Sequence, residues 1–219
     1  MIERLLPFFS LFLHLDRVLG NVITQYGAGT YLFIGTILFC ETGLIVTPFL
    51  PGDSLLFAAG AFAALGSLRI DILLFLCFIA AVGGDAVNYT IGQKLGIRAY
   101  HAIEGRFFTR AHLEKAERFY ARYGGRAIAL SRFMPIVRTL APFLAGVGQM
   151  PYRTFLFYNV IGAAVWVTLF LLGGYFFGTI PVIKQNFSLV IVAIIFISFI
   201  PVMREVLLGL FEKYKKNKA

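Results

Sequence analysis

Ala127-Ile128-Ala129-Leu130-Ser131-Arg132-Phe133-Met134-Pro135-Ile136-Val137-Arg138-Thr139-Leu140-Ala141-Pro142-Phe143-Leu144-Ala145-Gly146 is the run that decides the fold. It is apolar enough to enter a bilayer, yet it carries two arginines and two prolines. A proline inside a helix removes a backbone hydrogen bond and crowds the preceding turn. A guanidinium facing hydrocarbon costs roughly 3 kcal/mol or more. A plain spanning helix suits neither. A broken segment that enters and leaves on one side, screened from lipid by protein, accommodates both.

Outward from this run the chain stays apolar. Of 219 residues 59% are hydrophobic and only 14% charged, where a soluble domain has about a quarter charged. Apolar blocks lie near 31–50, 54–66, 70–92, 127–150, 154–178 and 187–211. A spanning helix needs roughly 20 such residues. The expected fold is therefore an all-α membrane protein, a helical bundle forming one membrane domain over residues 1–219. The start of the chain has a weak basic region and is interrupted by Pro7, His14, Asp16 and Arg17, which argues against a cleaved signal peptide. Cys40 and Cys77 each sit in an apolar block and read as small buried hydrophobes. Without metal or redox spacing, no cofactor and no metal are expected.

The formal net charge is +9, and the excess is local. Residues 94–126 hold Lys94, Arg98, Arg106, Arg110, Lys115, Arg118, Arg122 and Arg126 against Glu104, Glu114 and Glu117; the tail holds Lys213, Lys215, Lys216 and Lys218. These residues flank membrane blocks, the positive-inside pattern, and do not suggest nucleic-acid binding. A multi-pass protein with a cytoplasmic C-terminal tail is expected. If 127–150 enters and leaves on the cytoplasmic side, the blocks 154–178 and 187–211 return the tail to that side.

The chain also repeats itself. Leu11, Leu15, Val18, Leu19 and Val22 share a helical face, as do Leu113, Ala116, Tyr120 and Tyr123. Each helix ends in Tyr-Gly, at Tyr26-Gly27 and Tyr123-Gly124. Each is followed by a charged apolar block, a similar string (Pro48-Phe49-Leu50-Pro51-Gly52 and Pro142-Phe143-Leu144-Ala145-Gly146) and a full spanning block. Two inverted repeats, about 8–92 and 108–178, followed by a transmembrane helix at about 187–211, are the expected organisation. Paired interrupted segments of this kind point to a binding site. Pro48, Pro51, Gly52, Pro135, Pro142 and Gly146 are the expected hairpin-breaking residues.

Glu41 stands among Leu38-Phe39-Cys40 and Gly43-Leu44-Ile45-Val46. An ionisable residue at membrane depth is a functional hypothesis by default. Asp53 follows Pro51-Gly52 and reads either as the N-cap of the next helix or as a second functional acid. Arg132 and Arg138 are their expected partners, with Pro135 between them turning both guanidiniums toward one cavity. The four charges either tie the hairpins together or move a substrate. Asp85, Asn88 and Tyr89 share a helical face and read as support for this site or as interfacial residues. Asn159 and Trp166 read as packing and membrane-belt residues.

Taken together, Glu41, Pro48-Phe49-Leu50-Pro51-Gly52-Asp53, Gly84-Asp85, Tyr89, Ile91-Gly92, Tyr123-Gly124, Ser131-Arg132-Phe133-Met134-Pro135-Ile136-Val137-Arg138 and Ala145-Gly146 resemble the DedA family, which bears the SNARE-associated or VTT domain. The resemblance implies two facing re-entrant hairpins, with substrate and proton roles for Glu41, Asp53, Arg132 and Arg138. It also implies translocation of membrane lipids, with undecaprenyl phosphate or a phospholipid such as phosphatidylethanolamine as substrate and protons as coupled partners. The short tail argues for a bacterial member in the inner membrane. A homo-oligomer is compatible with this reading. Two rivals are a proton-coupled carrier of small cations or drugs and a non-transporting scaffold. An enzyme is not expected: His14, His101 and His112 lie outside the broken blocks, and no Gly-x-Ser-x-Gly string occurs.

Overall fold

The computed structural model describes residues 15–44, 52–103 and 123–181, with positions 183, 190 and 193. Pro48, Pro51, the amphipathic stretch before Tyr123, the lysine tail and nearly all of the expected helix 187–211 lie outside the described residues. Seven helices are described: α1 Leu15–Tyr26, α2 Gly29–Gly43, α3 Gly52–Ala64, α4 Ile70–Ile103, α5 Arg126–Ser131, α6 Pro135–Val147 and α7 Tyr152–Phe177. No strand occurs among the described residues. The protein is an all-α membrane protein, as its composition requires.

The Tyr-Gly pairs mark turns. Gly27 (φ 51°) and Gly124 (φ 56°) are left-handed, the backbone that glycine takes without a steric cost at helix ends. Each glycine's carbonyl accepts the N–H three residues on, at Thr30 and Ala127. The expected break at Pro135 is present. α5 stops at Ser131, Met134 is extended (φ −123°, ψ 103°), and Pro135 is the first residue of α6, where its missing N–H costs nothing. Pro142 does not break the hairpin. It lies inside α6, where it withholds an N–H from the Arg138 carbonyl while the helix runs on to Val147. α4 is longer than its apolar block, continuing to Ile103, since no proline interrupts 70–103.

Among the described residues, two helices are long and apolar enough to cross a membrane, over Ile70–Lys94 and Tyr152–Phe177. α3 and α6 have 13 residues each, about 20 Å of helix against a hydrocarbon core of about 30 Å. Their apolar surfaces are covered by the long helices in a crossed pattern: α3 packs on α7 and α6 on α4, while α2 packs on α4 and α5 on α7. The short helix α3 of the first half of the chain therefore lies against the spanning helix of the second half, and α6 against that of the first. On the outer face of α7, Phe157, Ile161, Val165 and Leu169 are exposed at a spacing of four, a stripe suited to lipid.

Glycine permits the crossings. A Cβ at Gly60 would lie 2.1 Å from the Leu171 carbonyl oxygen, and one at Gly174 1.9 Å from that of Phe57. Across the other crossing, a Cβ at Gly146 would lie 2.1 Å from the Tyr89 oxygen, and one at Gly92 2.1 Å from that of Phe143. Phe57…Gly60 thus corresponds to Phe143…Gly146. Gly146 serves this close approach rather than breaking the hairpin, being inside α6. Small residues let membrane helices meet backbone to backbone.

If α5 and α6 form a re-entrant hairpin, their outer ends share one side of the membrane. Tyr123 and Tyr152 are exposed there, whereas a side chain at Gly125 would meet Tyr158 at 2.5 Å. In a Cys40→Ser, Cys77→Ala background, Tyr123→Cys and Tyr152→Cys should react with an impermeant thiol reagent from the same side. Labelling from opposite sides would sink the hairpin.

Candidate functional site

The charges meet where the broken segments face each other. Glu41 lies in the last turn of α2, an unfavourable place for a carboxylate in that helix's own field. Its Oε1 instead accepts the N–H of Gly52 at 3.1 Å, at the positive start of α3. Gly52 is needed for this: a Cβ there would fall 1.8 Å from Glu41 Oε2. Asp53 sits in the first turn of α3, inside the helix rather than at its N-cap, and its carboxylate is turned toward side chains. Two acids thus share one helix N-terminus, an arrangement the helix dipole favours.

Arg138 answers both. Its Nη1 donates to Asp53 Oδ1 at 2.9 Å and its Nη2 donates to Glu41 Oε1. Glu41 and Arg138 are 0% and 4% exposed. Arg138 lies in the first turn of α6, where the dipole opposes a cation, so the acids are what hold it there. Trp166 Nε1–H donates to the same Asp53 oxygen at 2.8 Å.

Arg132 goes elsewhere. The sequence suggests that it shares Glu41 and Asp53 with Arg138; instead its Nη2 donates to Asp85 Oδ2 at 2.6 Å and to Asn159 Oδ1 at 2.5 Å. The reason is geometric: the extended backbone at Met134 separates the two arginines, and α4 brings Asp85 to the first of them. Asp85 is therefore the ion-pair partner of Arg132. Asn159 is held by its own amide, which donates to the Val82 carbonyl at 3.1 Å. It is 0% exposed, so it packs as expected and in addition hydrogen-bonds the ion pair.

Trp166, expected in a membrane belt, is fully buried and joins the two centres. The Arg138 and Arg132 guanidiniums lie 5.0 and 5.8 Å from its ring centroid, within cation–π range. Asn88 acts as a clip, its amide donating to the carbonyls of Thr42 in α2 (3.1 Å) and Thr139 in α6 (2.8 Å). Tyr89 stacks on Phe155 with ring centroids 4.4 Å apart, and its hydroxyl donates to the Met150 carbonyl. Both tie together the helices that carry the charges.

Several buried polar atoms find no partner among the described residues: Glu41 Oε2, Asp85 Oδ1, Arg132 Nε and Nη1, and Arg138 Nε. Buried polar groups are nearly always paired, and both arginines retain N–H groups in a dry site where a tetrahedral anion would satisfy them. The signal for Asp85 was available in the sequence, as an acid at membrane depth like Glu41. Asn159 and Trp166 carried none that separates them from ordinary buried polar and aromatic residues.

Comparison with known proteins agrees with this architecture. A model of the VTT domain matches residues 50–176. The chain is 51% identical over 197 residues to Protein DedA of Escherichia coli K12, covering 89% of this chain and 90% of that one. It is 37% identical over 180 residues to an uncharacterized membrane protein of Mycobacterium tuberculosis H37Rv, covering 81% and 79% of the two chains. With the inner membrane protein YghB of Escherichia coli K12 it shares 33% identity over 157 residues, 71% of each chain. No solved structure matches the chain significantly.

Proposed function

The chain belongs to the DedA family of VTT-domain membrane proteins, and from that premise we propose that it translocates phosphate-bearing lipids across the bacterial inner membrane, without chemical conversion. The observation that carries this reading is the pair of buried arginines with N–H groups unspent among the described residues. A planar guanidinium matches phosphate oxygens two at a time. Undecaprenyl phosphate and phospholipid head groups both offer such oxygens, and the tail can stay in the bilayer while the head crosses between the short arms.

Glu41 and Asp53 hold Arg138 until the phosphate competes for it. A carboxylate that loses its cation in a low-dielectric site is neutralised by a proton, which couples proton movement to lipid movement. Lys213, Lys215, Lys216 and Lys218 keep the tail cytoplasmic in this reading. The test is reconstitution in liposomes with fluorescent phospholipid and polyprenyl-phosphate reporters under two imposed pH gradients. Protein-dependent flux of a lipid phosphate that changes with the gradient is expected; no flux of either reporter under either gradient overturns the reading.

Glu41→Gln should keep the side-chain shape and the Gly52 contact while deleting the charge. Flux should fall roughly 100-fold, as for a loss of about 2–5 kcal/mol at a buried charge pair, with the protein still inserted. Wild-type flux at every pH would refute the role given to Glu41.

One observation favours a second reading. Three acids, Glu41, Asp53 and Asp85, face two arginines, and surplus negative charge suits a small cation carried against protons. The same liposomes loaded with a small organic cation separate the two readings.

A further inference from the structure

The third acid has a definite place. Asp85 and Arg132 form an ion pair of their own, on α4 and at the break between α5 and α6, apart from the Glu41–Arg138–Asp53 centre. We propose that Asp85 is a third acid of the transport site: it holds Arg132 at rest and takes up a proton when Arg132 turns to the lipid phosphate. The inference rests on the phosphate reading above.

The grip on Arg132 is one-sided. A buried Arg–carboxylate pair gains most from a parallel fork, two N–H groups on two oxygens. Arg132 instead spends a single nitrogen, Nη2, on Asp85, Asn159 and, at 3.4 Å, the Ala81 carbonyl. Its Nε and Nη1 have no partner among the described residues, nor does Asp85 Oδ1, although Arg132 and Asp85 are 2% and 1% exposed. Two donors on the arginine are free for an anion, and one oxygen on the acid is free for a proton.

The fate of Asp85 once Arg132 leaves is set by its surroundings. Around it the cations are Arg132 and, farther off, Arg138. α2 brings Glu41 to Arg138, α3 brings Asp53 to it, and α7 contributes neutral Asn159 and Trp166. Arg138 is thus matched already by two acids and cannot also serve Asp85. Asn159 Oδ1, fixed through Val82, steadies Arg132 without adding charge. A lone carboxylate in this dry setting is not sustained. One phosphate negative charge enters with one proton from water, an O–H bond forms on Asp85, and the cluster's net charge is unchanged.

Trp166 is the chain's single tryptophan and lies against both arginines, so its fluorescence reports on the site. Full-length protein in weakly buffered detergent, with a pH-indicator dye, would be titrated with short-chain phosphatidic acid. Wild-type should show a saturable fluorescence change with proton uptake on binding, one of the protons going to Asp85 and any other to the Glu41–Asp53 centre. Asp85→Asn should bind the probe more tightly, Arg132 no longer being held, and take up about one proton fewer per bound probe. Should that variant fail to fold, the neutral pair Asp85→Asn with Arg132→Gln replaces it, with binding weakened about tenfold and the same drop in proton uptake. Undiminished uptake per bound probe in the variant that folds overturns the inference alone. Absence of any saturable wild-type response overturns the phosphate reading, and this inference with it.

Discussion

Arg138→Lys is expected to reduce lipid flux by roughly 100-fold or more, the scale of 2–5 kcal/mol lost when a buried charged contact is truncated, while the protein remains inserted. The argument is one of shape at constant charge. Arg138 reaches Asp53 through Nη1 and Glu41 through Nη2, and its guanidinium carbon lies over the Trp166 ring, 5.0 Å from the centroid. A lysine ammonium is a point charge that cannot present two prongs to two acids and lie flat on an indole. Arg132→Lys should behave alike, since Nε and Nη1 would be lost. Flux in liposomes, with monodisperse elution as the folding control, makes the measurement. Wild-type flux in both variants would mean that the guanidiniums only balance charge.

A charge exchange is less informative than symmetry suggests. The partner of Glu41 is Arg138, so the exchange to make is Glu41→Arg with Arg138→Glu. Even this would not restore the pair, because Glu41 also accepts the Gly52 N–H at the start of α3. A guanidinium there would face a positive helix end. Both the structural and the transport readings predict failure, which leaves the lysine variants as the discriminating ones.

The second large effect belongs to the helix crossings. Gly174→Ala should cost the protein its fold or most of its yield, and Gly173→Ala should be nearly silent. A Cβ at Gly174 would lie 1.9 Å from the Phe57 carbonyl oxygen, a backbone atom that cannot swing aside, whereas one at Gly173 would meet the Phe57 ring at 3.9 Å. The other spanning helix offers the same contrast, with Gly84 2.0 Å from Thr42 Oγ1 and Gly83 3.6 Å from Phe39. Overpacking costs about 1–3 kcal/mol, roughly 2–12 °C of melting temperature in a domain of this size, and more where backbone is struck, as at Gly174. Thermal unfolding of the purified variants measures it. Equal melting temperatures for Gly173→Ala and Gly174→Ala would show that the helices do not cross this closely.

Much of this was legible in the residues. Arg132, Pro135 and Arg138 announced a broken segment because charge and proline are both intolerable in a lipid-facing helix, and the break falls at Pro135. Glu41 stood out for the same reason. Pairing was less legible. Which acid meets which arginine depends on how α4 and α7 lie across the short arms, and nothing in the spacing of Arg132 from Asp85 encodes that. Pro142 misled because a proline inside a helix can be absorbed where neighbouring helices enclose it. The repeat was visible in Tyr-Gly, while the string at 48–52 drew attention from the Phe57…Gly60 match, whose meaning lies in a backbone approach that no side-chain pattern displays.

The crossed packing of the repeats bears on how the chain is made. α3 ends at Ala64 and its covering helix α7 begins at Tyr152. At about 5–20 residues per second on the ribosome, roughly 4–20 s pass before that cover emerges. Through this interval a helix too short to span, with Asp53 in its first turn, lacks the helix that covers most of its face. Biogenesis therefore needs the insertion machinery to shelter the first half until the second arrives, and the two halves enter their final form as one cooperative event.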